Sequence, residues 1–299
     1  MPSPISPLVS VKPVVLPAPG RGTELQVRVS APVSGGGLPV VVFSHGYGQS
    51  LEGYAPLADA WAAAGFVVVQ PTHLDSRTLG LAPDDPRSPD IWRIRVADLV
   101  AVLDSLGLVE AAVPGLAGRV DPGRVAAAGH SWGAQTVGML LGARVLDADG
   151  APGEDLGDAR VSAGVLLAAA GTGESLTPLA AEHFPFMRPD FATLTTPALV
   201  VAGDADQSQL STRGPDWFTD VYHRSPGATD LLTLAGGEHS LGGITGYGVT
   251  ETTDEDPARV AAVRAVTTAW LRSALSGDDA GWPAARAAVP GSVGRVDSK

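Results

Sequence analysis

The sequence contains no cysteine among its 299 residues. This absence excludes disulfides, thiolate nucleophiles and thiolate metal sites, and it leaves the redox compartment open. The six histidines also lack the H-x-H or H-x-x-x-H spacing of paired metal ligands. We therefore expect no metal site, and any chemistry must come from oxygen and nitrogen groups.

Basic residues are scarce, since 20 Lys and Arg stand against 32 Asp and Glu, for a formal net charge of −12. Such a surface repels polyanions, so we expect no nucleic-acid partner. No apolar run is long enough for a membrane span. Residues 1–20 carry several prolines and no basic cluster, unlike a secretory signal. We expect a cytoplasmic protein, although a mature secreted chain would have the same composition. The oligomeric state stays open.

Apolar runs of strand length alternate with helical stretches. Residues 9–16 and 25–29 predict antiparallel strands. Continuous apolar runs predict strands buried on both faces at residues 40–43, 66–69, 125–128, 161–168, 198–201 and 231–234. Helices are predicted at residues 54–64, 90–106, 132–145, 212–224 and 257–275. In the predicted helix at residues 90–106, four charged side chains are expected to face outward: Arg93, Arg95, Asp98 and Asp104. The alternation predicts a mostly parallel central sheet with helices on both faces, and a ligand site beyond the carboxyl ends of its strands.

The domain organisation follows from length and composition. A chain that is 44% hydrophobic can bury a sizeable core, and we expect one domain over residues 1–275. Residues 171–196, rich in Gly, Pro and acidic residues, are a candidate small lid. Residues 276–299 are predicted to be a C-terminal tail that is partly disordered.

A G-x-S-x-G motif lies at residues 129–133, directly after an apolar run and directly before a helical stretch. In that context the motif forms a sharp strand-to-helix turn that presents its serine at the helix N-terminus. Ser131 is therefore the candidate nucleophile. The two amides that would bind a developing oxyanion are assigned to Trp132, which follows the nucleophile, and to Tyr47, in the loop after the first long strand. The rings of Tyr47 and Trp132 are also candidate substrate contacts, or else pack into the core.

A serine nucleophile needs a base, and the base needs an acid that holds its tautomer. His239 follows the last predicted strand, and the other histidines lie upstream of Ser131, in a predicted helix or in the candidate lid. Asp204 and Asp206 follow the strand at 198–201, so both give the order Ser, acid, His. We favour Asp206 because the loop must leave the strand before its carboxylate can turn toward His239.

These motifs resemble the α/β-hydrolase superfamily over about residues 38–275. Residues 46–47, 65–71, 120–125 and 236–240 resemble cutinase-like polyester hydrolases, as well as bacterial relatives of platelet-activating-factor acetylhydrolase, dienelactone hydrolase and chlorophyllase. The resemblance implies an α/β-hydrolase fold and carboxylic ester hydrolysis without a cofactor. The sequence departs from it at Trp132, where cutinase-like enzymes usually have Met. It also lacks the cysteine nucleophile typical of dienelactone hydrolase.

The sequence thus predicts a serine hydrolase of the carboxylesterase or cutinase-like type. Its substrate partner would be a small-molecule or polymeric ester with a short to medium acyl or an aryl group. A cofactor-free perhydrolase or haloperoxidase would use the same three side chains, and so would an amidase. A non-catalytic binding module of this fold is an alternative of another class, against which the complete Ser, Asp, His order argues.

Overall fold

The computed structural model describes residues 7–82, 84–246, 248, 253–277 and 280–299. In this part of the chain, nine strands form the main sheet and two form a small separate one. The main sheet consists of β1 (Leu8–Leu16), β2 (Leu25–Pro32), β3 (Leu38–Ser44), β4 (Val67–Pro71), β5 (Val120–His130), β7 (Val161–Leu167), β9 (Ala198–Gly203), β10 (Ala228–Leu234) and β11 (Gly294–Ser298). The small sheet pairs β6 (Arg144–Val145) with β8 (Pro189–Asp190).

The main sheet has the strand order β1-β2-β4-β3-β5-β7-β9-β10-β11. Its six strands from β4 to β10 run parallel, whereas β2 and β11 pair antiparallel with their neighbours. Central-strand residues such as Val41, Ala127 and Val200 are fully buried, as their continuous apolar runs predict. The architecture is that of an α/β hydrolase, which confirms the predicted fold class.

Most helices lie between strands and pack on the sheet. In chain order the helices are α1 (Ala55–Ala63), α2 (Ile91–Asp104), α3 (Leu106–Ala112), α4 (Trp132–Leu140), α5 (Pro178–His183), α6 (Asp220–Arg224), α7 (Pro257–Ser276) and α8 (Gly281–Ala287). The last of them, α8, packs against α7. The boundaries of α7 follow from its caps: the Asp256 side chain accepts two N–H groups, Pro257 opens the first turn, and Gly277 closes the helix at a φ of 62°.

The prediction that the charged side chains of α2 face outward is wrong for two of them. Arg95 and Asp98, predicted to face outward, are 0% and 1% exposed. Helical spacing cannot distinguish a solvated charge from a paired buried one, and both side chains have charged partners here. The inner face of α2 therefore carries a buried ion-pair network.

The C-terminal prediction is also wrong for the residues that the structure describes. Instead of the predicted, partly disordered tail, residues 280–299 form α8 and the edge strand β11, which pairs with β10 from Leu234↔Gly294 to Asp230↔Ser298. Gly294 is required there, because an added Cβ would lie 2.4 Å from the Thr233 carbonyl oxygen. The Gly- and Pro-rich composition of residues 276–299 did not indicate this strand, which is only five residues long.

Residues 171–196, the candidate lid, form short elements rather than a separate domain. They contain a 3₁₀ turn at Gly173–Ser175, the helix α5 and the strand β8. Phe184, Phe186 and Met187, which follow α5, line a pocket beside Ser131. This segment therefore forms one wall of the site described next.

Candidate active site

The turn between β5 and α4 is built around Ser131. Its backbone has φ 57° and ψ −122°, a conformation that non-glycine residues rarely adopt and that is typical of a strained nucleophile turn. The flanking glycines leave no room for a side chain. A Cβ added to Gly129 would lie 2.3 Å from the Gly133 carbonyl oxygen, and a Cβ added to Gly133 would lie 2.0 Å from the Ser44 carbonyl oxygen. The close packing of β3, β5 and α4 thus requires both glycines and holds the serine at the helix N-terminus.

Three side chains from different loops meet at this turn. The Ser131 Oγ lies 2.8 Å from His239 Nε2, and His239 Nδ1 lies 2.9 Å from Asp206 Oδ2. Ser131, Asp206 and His239 follow the carboxyl ends of β5, β9 and β10, so the parallel sheet brings them to one edge. The structure therefore places all three predicted side chains in one hydrogen-bonded chain.

The two carboxylates that the sequence offered have different surroundings. Asp206 is fully buried, and its second oxygen, Oδ1, has no hydrogen-bond partner within the described residues. Asp204 is exposed, and its Oδ1 accepts the Gly236 N–H at 2.6 Å. Asp206 thus contacts the imidazole, while Asp204 ties its own loop to the loop that carries His239.

Tyr47 and Trp132, whose backbone amides are the predicted oxyanion donors, both line the pocket that contains Ser131. Trp132 is the first residue of α4, where an N–H has no intrahelical acceptor. Tyr47 lies in the loop after β3, and the rings of Tyr47 and Trp132 are 5.5 Å apart. Neither amide N–H donates a hydrogen bond to any of the described residues. Both amides predicted as oxyanion donors are therefore unpaired among the described residues, and both residues line the pocket that contains Ser131.

An apolar pocket of about 250 Å³ opens at Ser131 and His239. Its remaining lining comes from Tyr47, Trp132, Ala168, Ala170, Phe184, Phe186, Met187, Ser208, Leu210, Trp217 and Phe218. Among these described residues, the only titratable side chains are those of His239 and Tyr47. The pocket therefore suits an uncharged apolar group next to the serine.

Stacked aromatic rings support the wall of this pocket that Phe186 forms. Phe186 stacks on Trp132 at 5.3 Å and on Trp92 at 6.3 Å, in both cases with planes 15° apart. Gln135 of α4 also donates to the Phe186 carbonyl at 2.8 Å. Sequence reasoning identified Trp132 but not Phe186 or Trp92, because residues far apart in sequence meet here without a motif.

Sequence reasoning also missed a buried hydrogen-bond chain behind the nucleophile. His130 Nε2 lies 2.7 Å from the His239 carbonyl oxygen, and His130 Nδ1 lies 2.9 Å from the Tyr54 hydroxyl, which accepts the Gly46 N–H at 3.0 Å. Burial lowers the pKa of His130 to about 3, so the ring is neutral at neutral pH. This chain connects the backbone that carries His239 to the loop that carries Tyr47.

A larger groove of about 870 Å³ is lined by α1, by neighbouring loops and by Arg264 of α7, with Asp59 among its charged residues. Neither Ser131 nor His239 lines it. Within the described residues there is also no cluster of three or more His, Asp or Glu side chains that could hold a metal ion. The site at Ser131 therefore remains the strongest candidate for chemistry.

Comparison with known proteins gives a partial match. Residues 23–80 match the family model for platelet-activating factor acetylhydrolase, isoform II. The matched stretch includes β2, β3, the Tyr47 loop and β4, but not Ser131, Asp206 or His239. No individual curated protein matches the chain. The match supports a hydrolase of the lipase and esterase type.

Among the described residues, every helix is too short or too polar to cross a bilayer.

Proposed function

We propose that this protein is a carboxylic ester hydrolase that works through an acyl-enzyme on Ser131. The observation that carries the proposal is the continuous chain from Ser131 Oγ through the His239 imidazole to a buried Asp206 carboxylate. A base 2.8 Å from a serine oxygen, and itself held by a carboxylate, is the arrangement that activates a hydroxyl nucleophile.

In the first step, His239 Nε2 takes the proton of Ser131 as its Oγ attacks the ester carbonyl carbon. The carbonyl oxygen gains negative charge, which the Tyr47 and Trp132 N–H groups bind. The imidazolium then protonates the departing alcohol oxygen as the bond from the carbonyl carbon to that oxygen breaks. Asp206 stays ionised and keeps the Nδ1–H tautomer of His239 throughout.

In the second step, a water molecule replaces the alcohol. His239 takes one proton from this water as its oxygen attacks the acyl carbon, and the two amides again bind the oxyanion. Collapse of the intermediate breaks the bond to Ser131 Oγ, which recovers its proton from the imidazolium. The products are a carboxylic acid and the free enzyme.

The pocket indicates the acyl group. With about 250 Å³ and apolar walls, it accommodates a short to medium alkyl chain or one aryl ring. Tyr47 is 61% exposed at the rim, so the site is open on that side, where we expect the alcohol group to lie. Small esters, and polymeric esters that present such an acyl group, are therefore both candidate substrates.

The proposal is tested by p-nitrophenyl butyrate hydrolysis with purified wild type, Ser131→Ala and His239→Ala. We expect both variants to lose at least about 10³-fold in kcat because they lose covalent catalysis. Ser131→Ala should keep the wild-type melting temperature, whereas His239→Ala should remain folded at a lower one, because it leaves the buried Asp206 carboxylate without a partner. Ser162→Ala is the control, since Ser162 is exposed on β7 and away from the pocket. Activity in Ser131→Ala comparable to wild type would contradict the proposal. Peroxide-dependent halogenation in acetate, in the absence of ester hydrolysis, would favour a perhydrolase instead.

A further inference from the structure

We propose that Arg95 and Asp75, neither of which touches the pocket, are positioning residues that hold the Tyr47 amide in its oxyanion-binding orientation. This inference rests on the proposed esterase function and adds to it two residues buried behind the site. It also assigns a role to the charged inner face of α2, which the mechanism above does not use.

Arg95 and Asp75 form an ion pair that is removed from solvent. Arg95 Nη1 donates to Asp75 Oδ1 at 2.6 Å, and the two side chains are 0% and 2% exposed. Burial opposes ionisation of Asp75, but Arg95 holds the pKa of that carboxyl below its usual range. The Asp75 carboxyl is therefore ionised at neutral pH beside the Arg95 guanidinium.

The pair binds the backbone on both sides of Tyr47. Arg95 Nη2 donates to the His45 carbonyl oxygen, and Asp75 Oδ2 accepts the Gly48 N–H at 3.1 Å. The ion pair thus closes a bridge between two points of the chain that flank Tyr47. Because these two anchors are joined by a buried charge pair, movement of either one would weaken the pair.

Other contacts complete the support of this loop. The Tyr54 hydroxyl accepts the Gly46 N–H at 3.0 Å, and the His45 imidazole lies 2.7 Å from the Gly46 carbonyl oxygen. The amides of Gly46 and Gly48 are therefore both paired, while that of Tyr47 between them is left for the substrate. This alternation is the arrangement expected of a preorganised donor.

Arg95 also contacts the element that carries the second donor. Its guanidinium carbon lies 4.9 Å from the centre of the Trp132 ring, and its Nε donates to Thr136 Oγ1 of α4 at 3.0 Å. One buried cation therefore links the Tyr47 loop to the helix whose first amide is that of Trp132.

A second Ser-His-Asp chain lies behind Arg95. Ser44 Oγ is 2.9 Å from His73 Nε2, and His73 Nδ1 is 2.9 Å from Asp98 Oδ2. All three residues are at most 1% exposed, so no substrate reaches them. Arg95 Nη2 donates to Ser44 Oγ at 3.3 Å, and Arg21 Nε donates to Asp98 Oδ1 at 2.8 Å. This chain therefore contacts Arg95 through Nη2, whereas Asp75 is bound through Nη1.

A purely structural role and a positioning role predict different kinetics. A structural ion pair contributes to folding, so its loss would lower the amount of active enzyme and affect every ester alike. A positioning pair acts on the donor of the oxyanion. Its loss would affect an ordinary ester more than a thionoester, whose C=S sulfur is a poorer hydrogen-bond acceptor and gains less from an aligned N–H.

The experiment measures kcat and KM for p-nitrophenyl butyrate and its thiono analogue with wild type, Asp75→Asn and Arg95→Lys. We expect kcat for the ordinary ester to fall about 10²-fold with KM nearly unchanged, the loss typical of one oxyanion donor. The thionoester should lose less than tenfold, so the ratio of the two rates falls at least tenfold. Arg93→Lys is the matched control, because Arg93 stacks on Trp92 from the same helix but is 47% exposed.

The double variant Asp75→Asn/Arg95→Gln leaves no unpaired buried charge, so it covers the case in which the single variants fail to fold. It should show the same fall in the rate ratio. An unchanged ratio in the folded variants, or a rise in KM alone, would overturn the inference while leaving the esterase proposal intact. Failure of the wild type to hydrolyse either ester would refute the proposed function and this inference with it.

Discussion

Replacement of Asp206 by Asn tests the acid of the proposed mechanism with minimal change in shape. The buried Asp206 contacts His239 through Oδ2, while Oδ1 has no partner within the described residues. An Asn has one oxygen and one NH₂ group to place at these two positions. If the oxygen faces His239 Nδ1–H, the NH₂ group is buried without an acceptor, at a cost of about 1–3 kcal/mol.

The opposite orientation of the amide avoids that cost but inactivates the base. The Asn NH₂ would then donate to His239 Nδ1, which moves the ring proton to Nε2, the nitrogen that must accept from Ser131. A preference of 1–3 kcal/mol makes the productive tautomer about 5 to 150 times rarer. Loss of the carboxylate charge, which stabilises the imidazolium, adds to this. We expect a total loss of about 10⁴-fold in kcat, as for a wrong tautomer in another serine triad.

The assay is steady-state hydrolysis of p-nitrophenyl butyrate, with melting curves to verify folding. Asp204→Asn is the matched control on the same loop. Its amide oxygen can still accept the Gly236 N–H, so we expect activity within about threefold of wild type. Equal losses in the two variants, or a larger loss at Asp204, would refute the assignment of Asp206 as the acid.

Three further predictions follow from the pocket, the glycines and His130. Across p-nitrophenyl esters, kcat/KM should rise about fourfold per added methylene from acetate and level off well before palmitate. Activity should not jump at the critical micelle concentration. A tenfold preference for palmitate over butyrate would contradict this prediction. Gly133→Ala should lower the free energy of urea unfolding by about 3 kcal/mol or more, whereas Gly138→Ala, whose added Cβ meets an atom only at 4.0 Å, should not. Burial lowers the pKa of His130 to about 3, so the neutral ring carries no penalty above pH 6.5, and the free energy of unfolding falls by about 1.4 kcal/mol per pH unit as the pH drops from 6.5 toward 3. His130→Gln should remove this contribution to the pH dependence of stability. Identical slopes in wild type and variant would refute the prediction.

The sequence predicted the parts of the molecule in which local pattern and chemistry coincide. Continuous apolar runs identified the parallel strands, and the glycines around Ser131 marked a turn where the structure leaves no space for a Cβ. Chain order, together with the ends of the predicted strands, selected His239 and restricted the acid to two aspartates. These inferences need no knowledge of tertiary contacts, because each follows from the end of a strand.

Inferences that depend on long-range contacts failed or were not made. Arg95 and Asp98 were assigned to the outer face of α2, because a charge has a buried position only when a distant partner is present. The strand β11 was missed because its pairing with β10 decides its conformation. The contacts of Phe186 with Trp92 and Trp132 were not predicted either, because no sequence motif with a fixed spacing marks them.

The most direct test of the central claim is covalent labelling with a fluorophosphonate followed by peptide mass spectrometry. Within the described residues there are two hydrogen-bonded Ser-His-Asp groups, one at the pocket through Ser131 and one fully buried through Ser44. We predict one phosphonyl group per molecule, on Ser131, with loss of esterase activity in proportion to labelling and no label in Ser131→Ala. A label on Ser44 or on any other serine, or full labelling with activity retained, would contradict the account.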